Sequence, residues 1–357
     1  MAKNWLLGMS SRVLMLIVAG LLVLSYLTIV INPAEAWYVT ILGLMFVPLS
    51  IVNFILVLWA LKRRSKAVVI PLVAFLPAIL FLGRYVQFGK EDESNPIGEQ
   101  LKIVSYNVGQ FALQRKDSGI SSRKQCADSI FSFLLEQDAD ILCLQEFHLS
   151  DINGIRPYLR RHFKGYKAEY LINHQDGHGY GNVTLSRLPV KGKGVIRFDE
   201  SSNMALYTDH ELDGRSFRVY NCHFQSYGIS FSGMVRSMIE RGEDVFAETG
   251  RKVKKSILLR PKQVDQVFDH IEKSPLSSFI CGDFNDNPMS YTYHRLTRGR
   301  KDVFVEAGNG FGATFSFLWP MLRIDYVLYP EEFEGVSHEV ARIPFSDHYP
   351  VIAGINL

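Results

Sequence analysis

The sequence predicts an α/β domain preceded by an all-α transmembrane segment of three helices. Two observations lead to this fold class. Residues 1–100 contain three long blocks that lack charged side chains and are rich in Leu, Val and Ile. Residues 101–357 alternate between short apolar runs typical of strands and amphipathic runs typical of helices. Residues 91–100 are polar, include Pro96 and Gly98, and are predicted to be the linker between the two parts.

The three apolar blocks are predicted to span a membrane. They contain 22, 26 and 17 consecutive uncharged residues, and a membrane-spanning helix needs about 20. We therefore expect transmembrane helices at about 13–34, 36–61 and 67–84. The third block is short and is interrupted by Pro71 and Pro77, so its alternative is a buried or re-entrant helix. A cleaved signal peptide is disfavoured because one block would be enough for it.

The positions of Lys and Arg predict the orientation of these helices. The loop around Glu35 has no basic residue, whereas residues 62–66 include four. Basic loops remain on the cytoplasmic side of a membrane. We therefore expect a multi-pass protein of the plasma (inner) membrane, whose partner is the lipid bilayer, with the chain after Arg84 extracytoplasmic. If the third block does not cross, the predicted side reverses. No obligate protein partner is indicated.

The domain from Leu101 to Leu357 has 257 residues, which is enough for one α/β domain with a full core. Residues 1–100 contain 8 of the 39 Lys and Arg residues and 5 of the 36 Asp and Glu residues. The domain therefore has 31 basic and 31 acidic residues and no net charge. DNA-binding proteins usually carry a basic surface, so this balance disfavours a dedicated DNA binder but allows a local basic patch. The four cysteines have no C-x-x-C spacing and are expected to be buried free thiols.

The order of elements in this domain is mixed. A helix is predicted over 121–136, and a second one is predicted to open at Pro261. Asp213 and Gly214, between two strand-like runs, predict a hairpin. Further strands are predicted at 101–106, 140–144, 182–186, 278–281, 324–328 and 351–357.

Five short motifs place acids, amides or imidazoles at the ends of these apolar runs. They are Ser105-Tyr106-Asn107, Gln145-Glu146, Gly282-Asp283-Phe284-Asn285, Arg323-Ile324-Asp325-Tyr326 and Ser346-Asp347-His348. A sixth position, His223, also ends a strand-like run. Carboxylates brought together from several strand ends suit a hard divalent cation, and such a cation is a common catalyst of phosphate ester cleavage.

Each motif also has an ordinary structural explanation. Asp and Asn after a strand commonly stabilise a turn, and a single strand histidine such as His223 is usually structural. Asp325 could form a salt bridge with Arg323. Asn182, before another strand run, is only a weak site candidate. The functional interpretation depends on the motifs occurring together.

In order and spacing, the set resembles the endonuclease/exonuclease/phosphatase superfamily. The resemblance implies a four-layered α/β sandwich with two packed mixed β-sheets over residues 101–357. It implies a metal site formed by Glu146, with Asn107 and Asp347 nearby, that holds Mg²⁺ or Mn²⁺.

The resemblance also assigns catalytic roles. Asp283 would activate the attacking water. His348, oriented by Asp325, would bind the phosphate together with His223 and Asn285. In this family the His223 motif is usually Thr-His-Leu, and here it is Cys-His-Phe, which leaves the histidine in place.

The expected function is a membrane-anchored, divalent-metal-dependent phosphoesterase that cleaves phosphodiester or phosphomonoester bonds by in-line attack of water. Its substrate is either nucleic acid outside the cytoplasm or a phospholipid or sphingomyelin-type lipid. The remaining alternative is a catalytically dead, membrane-tethered binding protein. Residues 226–258 are predicted to be an insertion that forms a flap, a membrane-surface segment or a solvated loop and helix.

Overall fold

The computed structural model describes residues 2–89, 101–112, 118–150, 154–175, 178–227 and 243–357. The predicted linker and residues 228–242 of the predicted insertion lie outside the described residues. The chain groups into two compact units. The helical unit comprises Met1–Tyr85, Tyr227–Pro261 and Asp286–His294, and the sheet unit comprises Val86–Ser226, Lys262–Asn285 and Arg295–Leu357. Two segments that follow residue 226 therefore cluster with the N-terminal helices.

The N-terminal part of the helical unit consists of apolar helices joined by short turns. They are α1 Ala2–Tyr26, α2 Trp37–Leu44, α3 Phe46–Lys62, α4 Val69–Phe75 and α5 Ile79–Leu82. Leu22, Phe46 and Ala78 are fully buried in their apolar cluster. Asn53 donates a hydrogen bond from its buried Nδ2 to the Pro71 carbonyl at 2.6 Å, which ties α3 to α4.

The expected count of three transmembrane helices is wrong for the described chain. Ser10–Ile29 is the one continuous helix there that is long and apolar enough to cross a membrane. Helices α2 and α3 pass the same test only as a pair bent by 58°. The third block forms the shorter Lys66–Leu82 segment, which is broken by a 3₁₀ turn at Leu76–Ala78. Pro77 lies in that turn and has no N–H for a helical hydrogen bond.

The strands of the sheet unit form two six-stranded sheets and one short pair. The strands are β1 Val86–Gln87, β2 Leu101–Asn107, β3 Ile141–Leu149, β4 Lys167–Gln175, β5 His178–Ser186, β6 Val190–Arg197, β7 Met204–Leu212, β8 Arg215–His223, β9 Ser277–Asp283, β10 Arg300–Asp302, β11 Gly310–Phe311, β12 Asp325–Pro330, β13 Glu334–Val340 and β14 Val351–Asn356. The remaining helices are α6 Arg123–Glu136, α7 Ile155–His162, α8 Glu243–Glu272, α9 Tyr291–Leu296 and α10 Val303–Ala307.

Each large sheet is mixed and has one parallel pair near its centre. The first sheet has the order β13-β14-β2-β3-β5-β4, and the second has the order β10-β12-β9-β8-β7-β6. The pairs β2–β3 and β8–β9 are parallel, and the other pairs are antiparallel. Each parallel pair needs a crossover connection, which contains α6 in one case and α8 in the other.

The two sheets pack face to face with helices on their outer sides. Ile103 and Cys143 of the first sheet share a core cluster with Phe217 and Phe279 of the second. Ile130, on α6, packs in a separate cluster against the outer face of the first sheet. On the second sheet, the Tyr220 hydroxyl lies 2.8 Å from His270 Nδ1 of α8. The predicted α/β class with two mixed sheets is therefore confirmed.

Several local predictions can be compared with these elements. Asp213 and Gly214 form the hairpin turn between β7 and β8, both with positive φ. All four cysteines are buried and free. Pro261 was expected to open a helix, but it lies inside α8, which begins earlier at Glu243.

Candidate active site

Three strand ends and one bulged strand bring their polar side chains together at one edge of the sheet unit. Asn107 ends β2, Glu146 lies in β3, His223 ends β8 and Asp283 ends β9. In the parallel pairs, Asn107 is opposite Gln145 and His223 is opposite Asp283. Parallel strands direct their carboxyl ends to the same edge. The two sheets meet there, since Asn107 Nδ2 lies 2.9 Å from Asp283 Oδ2.

Glu146 is positioned by a bulge in β3. The register with β5 shifts between Leu144 and Phe147, and Glu146 has a φ of 51°. Left-handed backbone costs a residue with a Cβ about 1–2 kcal/mol, and such strain is concentrated at functional sites. The carboxylate accepts hydrogen bonds from Asn107 Nδ2 at 3.3 Å and from Gln110 Nε2 at 3.4 Å.

Asp283 is held by its own turn and by a close approach of the backbone. Gly282 has a φ of 137°, and a Cβ there would lie 1.9 Å from the Cys222 carbonyl oxygen, so no other residue fits. Asn285 donates from its backbone N to Asp283 Oδ1 at 2.8 Å and from Nδ2 to Asp283 Oδ2 at 3.0 Å. The strand β9 ends at Asp283, and Asn285 has a left-handed φ of 53°, so a turn brings the two side chains together.

His348 and Asp325 form a buried pair on the other side of Asp283. His348 Nδ1 lies 2.9 Å from Asp325 Oδ2, and His348 Nε2 lies 3.8 Å from Asp283 Oδ2. A carboxylate at Nδ1 fixes the ring so that Nε2 faces the site. The alternative salt bridge between Asp325 and Arg323 is absent from the described contacts, because Arg323 pairs with Asp302.

His223 has an imidazole nitrogen without a hydrogen-bond partner among the described residues. The residue is 7% exposed, and Nε2 is buried without a hydrogen bond. This atom lies 3.6 Å from Glu146 Oε1 and 3.7 Å from Asp283 Oδ2, which is beyond ordinary hydrogen-bond distance. A buried polar atom of this kind requires an explanation, and a ligand between the two carboxylates is one.

Ser346 connects the Asp347 loop to the first sheet. Its hydroxyl donates to the Asn107 carbonyl at 2.9 Å and accepts from His348 N at 3.2 Å. Burial raises the pKa of Asp347, His348 lowers it, and Glu146 raises it further.

Charge balance at the centre of the site depends on the histidines. Burial raises the pKa of Asp283, and so does Asp325, while His348 and His223 lower it. Burial alone would lower the pKa of His348, but Asp325 and Asp283 outweigh burial and raise it well above its ordinary value. His348 is therefore cationic near neutral pH, and it can stabilise negative charge that develops on a phosphate.

The side chains beneath the site form a buried amide network. Gln145 Nε2 donates to Asn221 Oδ1 at 2.8 Å, and Asn221 Nδ2 donates to the Val183 carbonyl at 3.0 Å. Asn182 Nδ2 donates to the Asn221 carbonyl at 3.0 Å. The weak site candidate Asn182 thus belongs to this supporting network.

A divalent cation fits the donor set that these residues present. The ligand atoms of Asp283, Asp325 and His348 lie within 4.8 Å of one another, and all three residues are buried. A cationic His348 has no free lone pair for a metal, so the carboxylates are the donors of this group. The group differs from the predicted metal ligands, which are Glu146, Asn107 and Asp347. Asn107 as placed directs Nδ2 towards the carboxylates, while its Oδ1 accepts from Gly109 N at 3.0 Å. Its role as an oxygen ligand therefore stays a prediction, whereas the nearby carboxylates suit a cation.

Comparisons with known proteins identify the family of the domain. The model of the "Endonuclease/Exonuclease/phosphatase family" matches residues 104–348. The chain belongs to this family. A second family model, described as a domain of unknown function, matches residues 6–85.

Individual relatives are distant. The chain is 22% identical over 259 residues to the "CCR4-Not complex 3'-5'-exoribonuclease subunit Ccr4" of Aspergillus oryzae, with 57% of this chain and 34% of that protein covered. It thus spans about a third of the length of the curated relative that it matches.

Solved structures share the fold. A humanized D. rerio TDP2 has a TM-score of 0.52 at 17% identity and covers 73% of this chain and 100% of its own. The human Nocturnin catalytic domain has a TM-score of 0.52 at 16% identity, with 72% and 94% covered. An endonuclease/exonuclease/phosphatase of Beutenbergia cavernae has a TM-score of 0.51 at 19% identity, with 72% and 71% covered.

Proposed function

We propose that this member of the family is a divalent-metal-dependent hydrolase of phosphoric esters. The observation that carries the proposal is the buried Nε2 of His223, which has no hydrogen-bond partner in the described part of the chain and lies between the carboxylates of Glu146 and Asp283. The nearby His348 cation supplies positive charge to the same space. A binding protein that had lost catalysis would have no need to retain the strain at Glu146.

The residues divide the chemistry among them. Asp283 orients and deprotonates the attacking water. His348, fixed at Nδ1 by Asp325, and His223 hold the non-bridging phosphate oxygens. Mg²⁺ or Mn²⁺, held by Glu146 with carboxylates nearby, would polarise the phosphate and stabilise the leaving oxygen.

The activity can be measured with the purified full chain on bis-p-nitrophenyl phosphate. We expect hydrolysis that EDTA abolishes and excess Mg²⁺ or Mn²⁺ restores. His348→Gln should lower the rate at least ~10²-fold. His162→Gln, a histidine change on α7 outside the site, is the matched control. Hydrolysis that is equal with and without EDTA, or equal in the His348 and His162 variants, contradicts the proposal.

A lipid phosphoester is the first substrate candidate. The loop before β12 exposes Phe317, Leu318 and Trp319, and its Ser316 N donates to the Asp347 carbonyl at 2.8 Å. Exposed apolar side chains beside a catalytic histidine suit an acyl chain or a membrane surface. Trp319→Ala should therefore reduce hydrolysis of phospholipid in vesicles and leave soluble bis-p-nitrophenyl phosphate unaffected. Equal loss on both substrates contradicts the lipid assignment.

A polynucleotide is the second candidate, and a basic cleft favours it. The cleft is lined by Arg123, Lys124, His148 and Tyr158, and His148 lies two residues after Glu146 in β3. Cationic groups beside the reacting phosphate suit a chain of phosphates. Removal of both basic side chains at 123 and 124 should weaken hydrolysis of single-stranded RNA or DNA and increase KM. If KM for both nucleic acids is unchanged and lipid hydrolysis is intact, the polynucleotide candidate is rejected and the phospholipid candidate remains.

The N-terminal helices α1 to α5 are proposed to lie in the membrane. Most exposed large apolar side chains of the described chain lie before residue 90, among them Leu16, Ile17, Val52 and Ile55. Lipid contact would remove this exposure. The basic residues 62–66 favour the cytoplasmic side for the end of α3. The short, broken Lys66–Leu82 segment then decides the side of the C-terminus. If the segment crosses, an alkaline phosphatase fused after Leu357 is active; if a cytoplasm-only reporter is active there instead, the segment does not cross and the predicted extracytoplasmic side is wrong.

A further inference from the structure

The nine residues that follow the Gly282–Asn285 motif cluster with the N-terminal helices. This 286–294 segment is covalently continuous with Asn285, yet Asp286–His294 belongs to the helical unit. Its position deserves an explanation because Asp283 and Asn285 are the site residues directly before it. Hydrogen bonds and apolar contacts connect this segment to the helices.

Two helix ends hold the middle of the segment by hydrogen bonds. Asn287 Nδ2 donates to the Gly43 carbonyl of α2 at 2.9 Å, and Asn287 is 3% exposed. Thr28 Oγ1 lies 2.7 Å from the Met289 carbonyl and also 2.7 Å from the Ser25 carbonyl, so its proton is shared between the two. The helices therefore form hydrogen bonds both with a side chain of the segment, that of Asn287, and with its backbone, at Met289.

The flanking residues of the segment are held by arginines. Arg84, after α5, donates to the Pro288 carbonyl at 3.2 Å. Arg260 of α8 is buried and lies 3.2 Å from Asp286 Oδ2, an atom that also accepts from Thr292 Oγ1 at 2.9 Å. Four consecutive residues, 286–289, are thus each fixed by a different part of the helical unit.

Apolar packing makes this attachment rigid. Met289 is fully buried in the cluster that includes Leu22, Phe46 and Ala78. A Cβ at Gly43 would lie 2.4 Å from the Met289 carbonyl oxygen and 2.7 Å from Thr28 Oγ1. The close approach between α2 and the segment therefore depends on a residue without a side chain.

We propose that the helical unit is a positioning element for the catalytic residues, which acts through the 286–294 segment on Asn285 and Asp283. Asn285 has a left-handed φ of 53°, and a strained conformation persists only where its surroundings determine it. On one side its Nδ2 is tied to Asp283 Oδ2 and to the Phe224 carbonyl, both at 3.0 Å. On the other side the chain enters the anchored segment. The proposal rests on the proposed phosphoesterase function, and it gives the helices a role beyond attachment to a membrane.

Gly43→Ala tests this positioning directly. The new methyl group would have to displace the Met289 carbonyl by about 1 Å to reach ordinary contact distance, which starts at 3.4 Å, and a misplacement of about 1 Å can cost ~10²-fold in rate. Because Met289 lies four residues from Asn285, we expect kcat on bis-p-nitrophenyl phosphate to fall at least ~10-fold with KM within ~3-fold. Gly20→Ala is the matched control, since a Cβ at Gly20 meets nothing within 4 Å. Its kcat should equal that of the wild type.

A second pair of variants separates positioning from a general loss of structure. Thr28→Val removes the hydroxyl that contacts Met289, and Thr28→Ser retains it, so kcat should fall in the first and recover in the second. Unchanged kcat in both Gly43→Ala and Thr28→Val overturns the proposal.

Hydrogen exchange provides a readout that does not depend on activity. The backbone amides of residues 284–287, 289 and 290 should exchange faster in Gly43→Ala than in Gly20→Ala, while those of β2 and β3 stay unchanged. If the wild type is inactive but exchange changes as expected, the proposed function fails and the anchoring stands. If the wild type is active and neither exchange nor kcat responds to Gly43→Ala, the positioning role fails and the proposed function stands.

Discussion

The pair formed by His348 and Asp325 gives the sharpest quantitative prediction. His348 Nδ1 lies 2.9 Å from Asp325 Oδ2, and both residues are buried. At about 4 Å between charge centres and an effective dielectric constant of about 20, the attraction is about 4 kcal/mol. Each ~1.4 kcal/mol corresponds to a tenfold change in rate, so the pair can supply at most ~10³-fold.

Asp325→Asn removes this charge and keeps the shape of the side chain. We expect kcat on bis-p-nitrophenyl phosphate with saturating Mg²⁺ to fall between ~10²-fold and ~10³-fold, with KM changed much less. Asp209→Asn is the control, because Asp209 pairs with Arg218 at 2.6 Å in the same unit but outside the site. A kcat for Asp325→Asn within threefold of the control would refute the orienting role of Asp325.

Three further predictions concern stability and metal dependence. Burial lowers the pKa of His210 to about 4 from 6.5, so the unfolded state binds more protons below pH 6.5 and stability falls as pH falls. In thermal or denaturant unfolding, the loss of stability between pH 7 and pH 5 should be smaller by about 2 kcal/mol in His210→Gln than in the wild type; an equal pH slope in both proteins contradicts this. Gly282→Ala should destabilise the protein by at least ~2 kcal/mol more than Gly214→Ala, because both have positive φ but only Gly282 meets a carbonyl oxygen; equal melting temperatures would oppose it. Finally, Mg²⁺ or Mn²⁺ should raise the melting temperature of the wild type by mass action, and the absence of any shift at millimolar metal would argue against the cation site.

Much of the domain from residue 101 to residue 357 could be predicted, because a change from apolar to polar residues marks the ends of its strands. Asn107, His223 and Asp283 each follow an apolar run, and parallel pairing places such ends at one edge. The partnership of His348 with Asp325 came from the family resemblance, and the structure places the two side chains in contact. The roles assigned to these residues stay predictions.

Other features depended on backbone geometry that residue types do not reveal. The bulge that turns Glu146 into the site arises from a register shift between β3 and β5. Gln110, which contacts Glu146, follows the strand end without a motif of its own. Hydrophobicity alone also could not distinguish a continuous helix from the broken Lys66–Leu82 segment, because proline changes hydrogen bonding and not apolar character.

The attachment of residues 286–294 to the N-terminal helices is the feature that sequence reasoning missed most completely. The contacts of Asn287 with Gly43 and of Met289 with Thr28 join positions more than 240 residues apart. Periodicity reports only neighbours along the chain, so a single sequence contains no signal for them.

The central claim is that carboxylates and imidazoles from separate strands form one metal-dependent hydrolytic site. The most direct measurement is the rate of bis-p-nitrophenyl phosphate hydrolysis by the full chain as Mg²⁺ is titrated, for the wild type, Asp283→Asn and the exposed hairpin variant Asp213→Asn. We predict saturable activation for the wild type and Asp213→Asn, and a rate at least ~10²-fold lower for Asp283→Asn at every Mg²⁺ concentration. Equal rates for all three proteins would contradict the account.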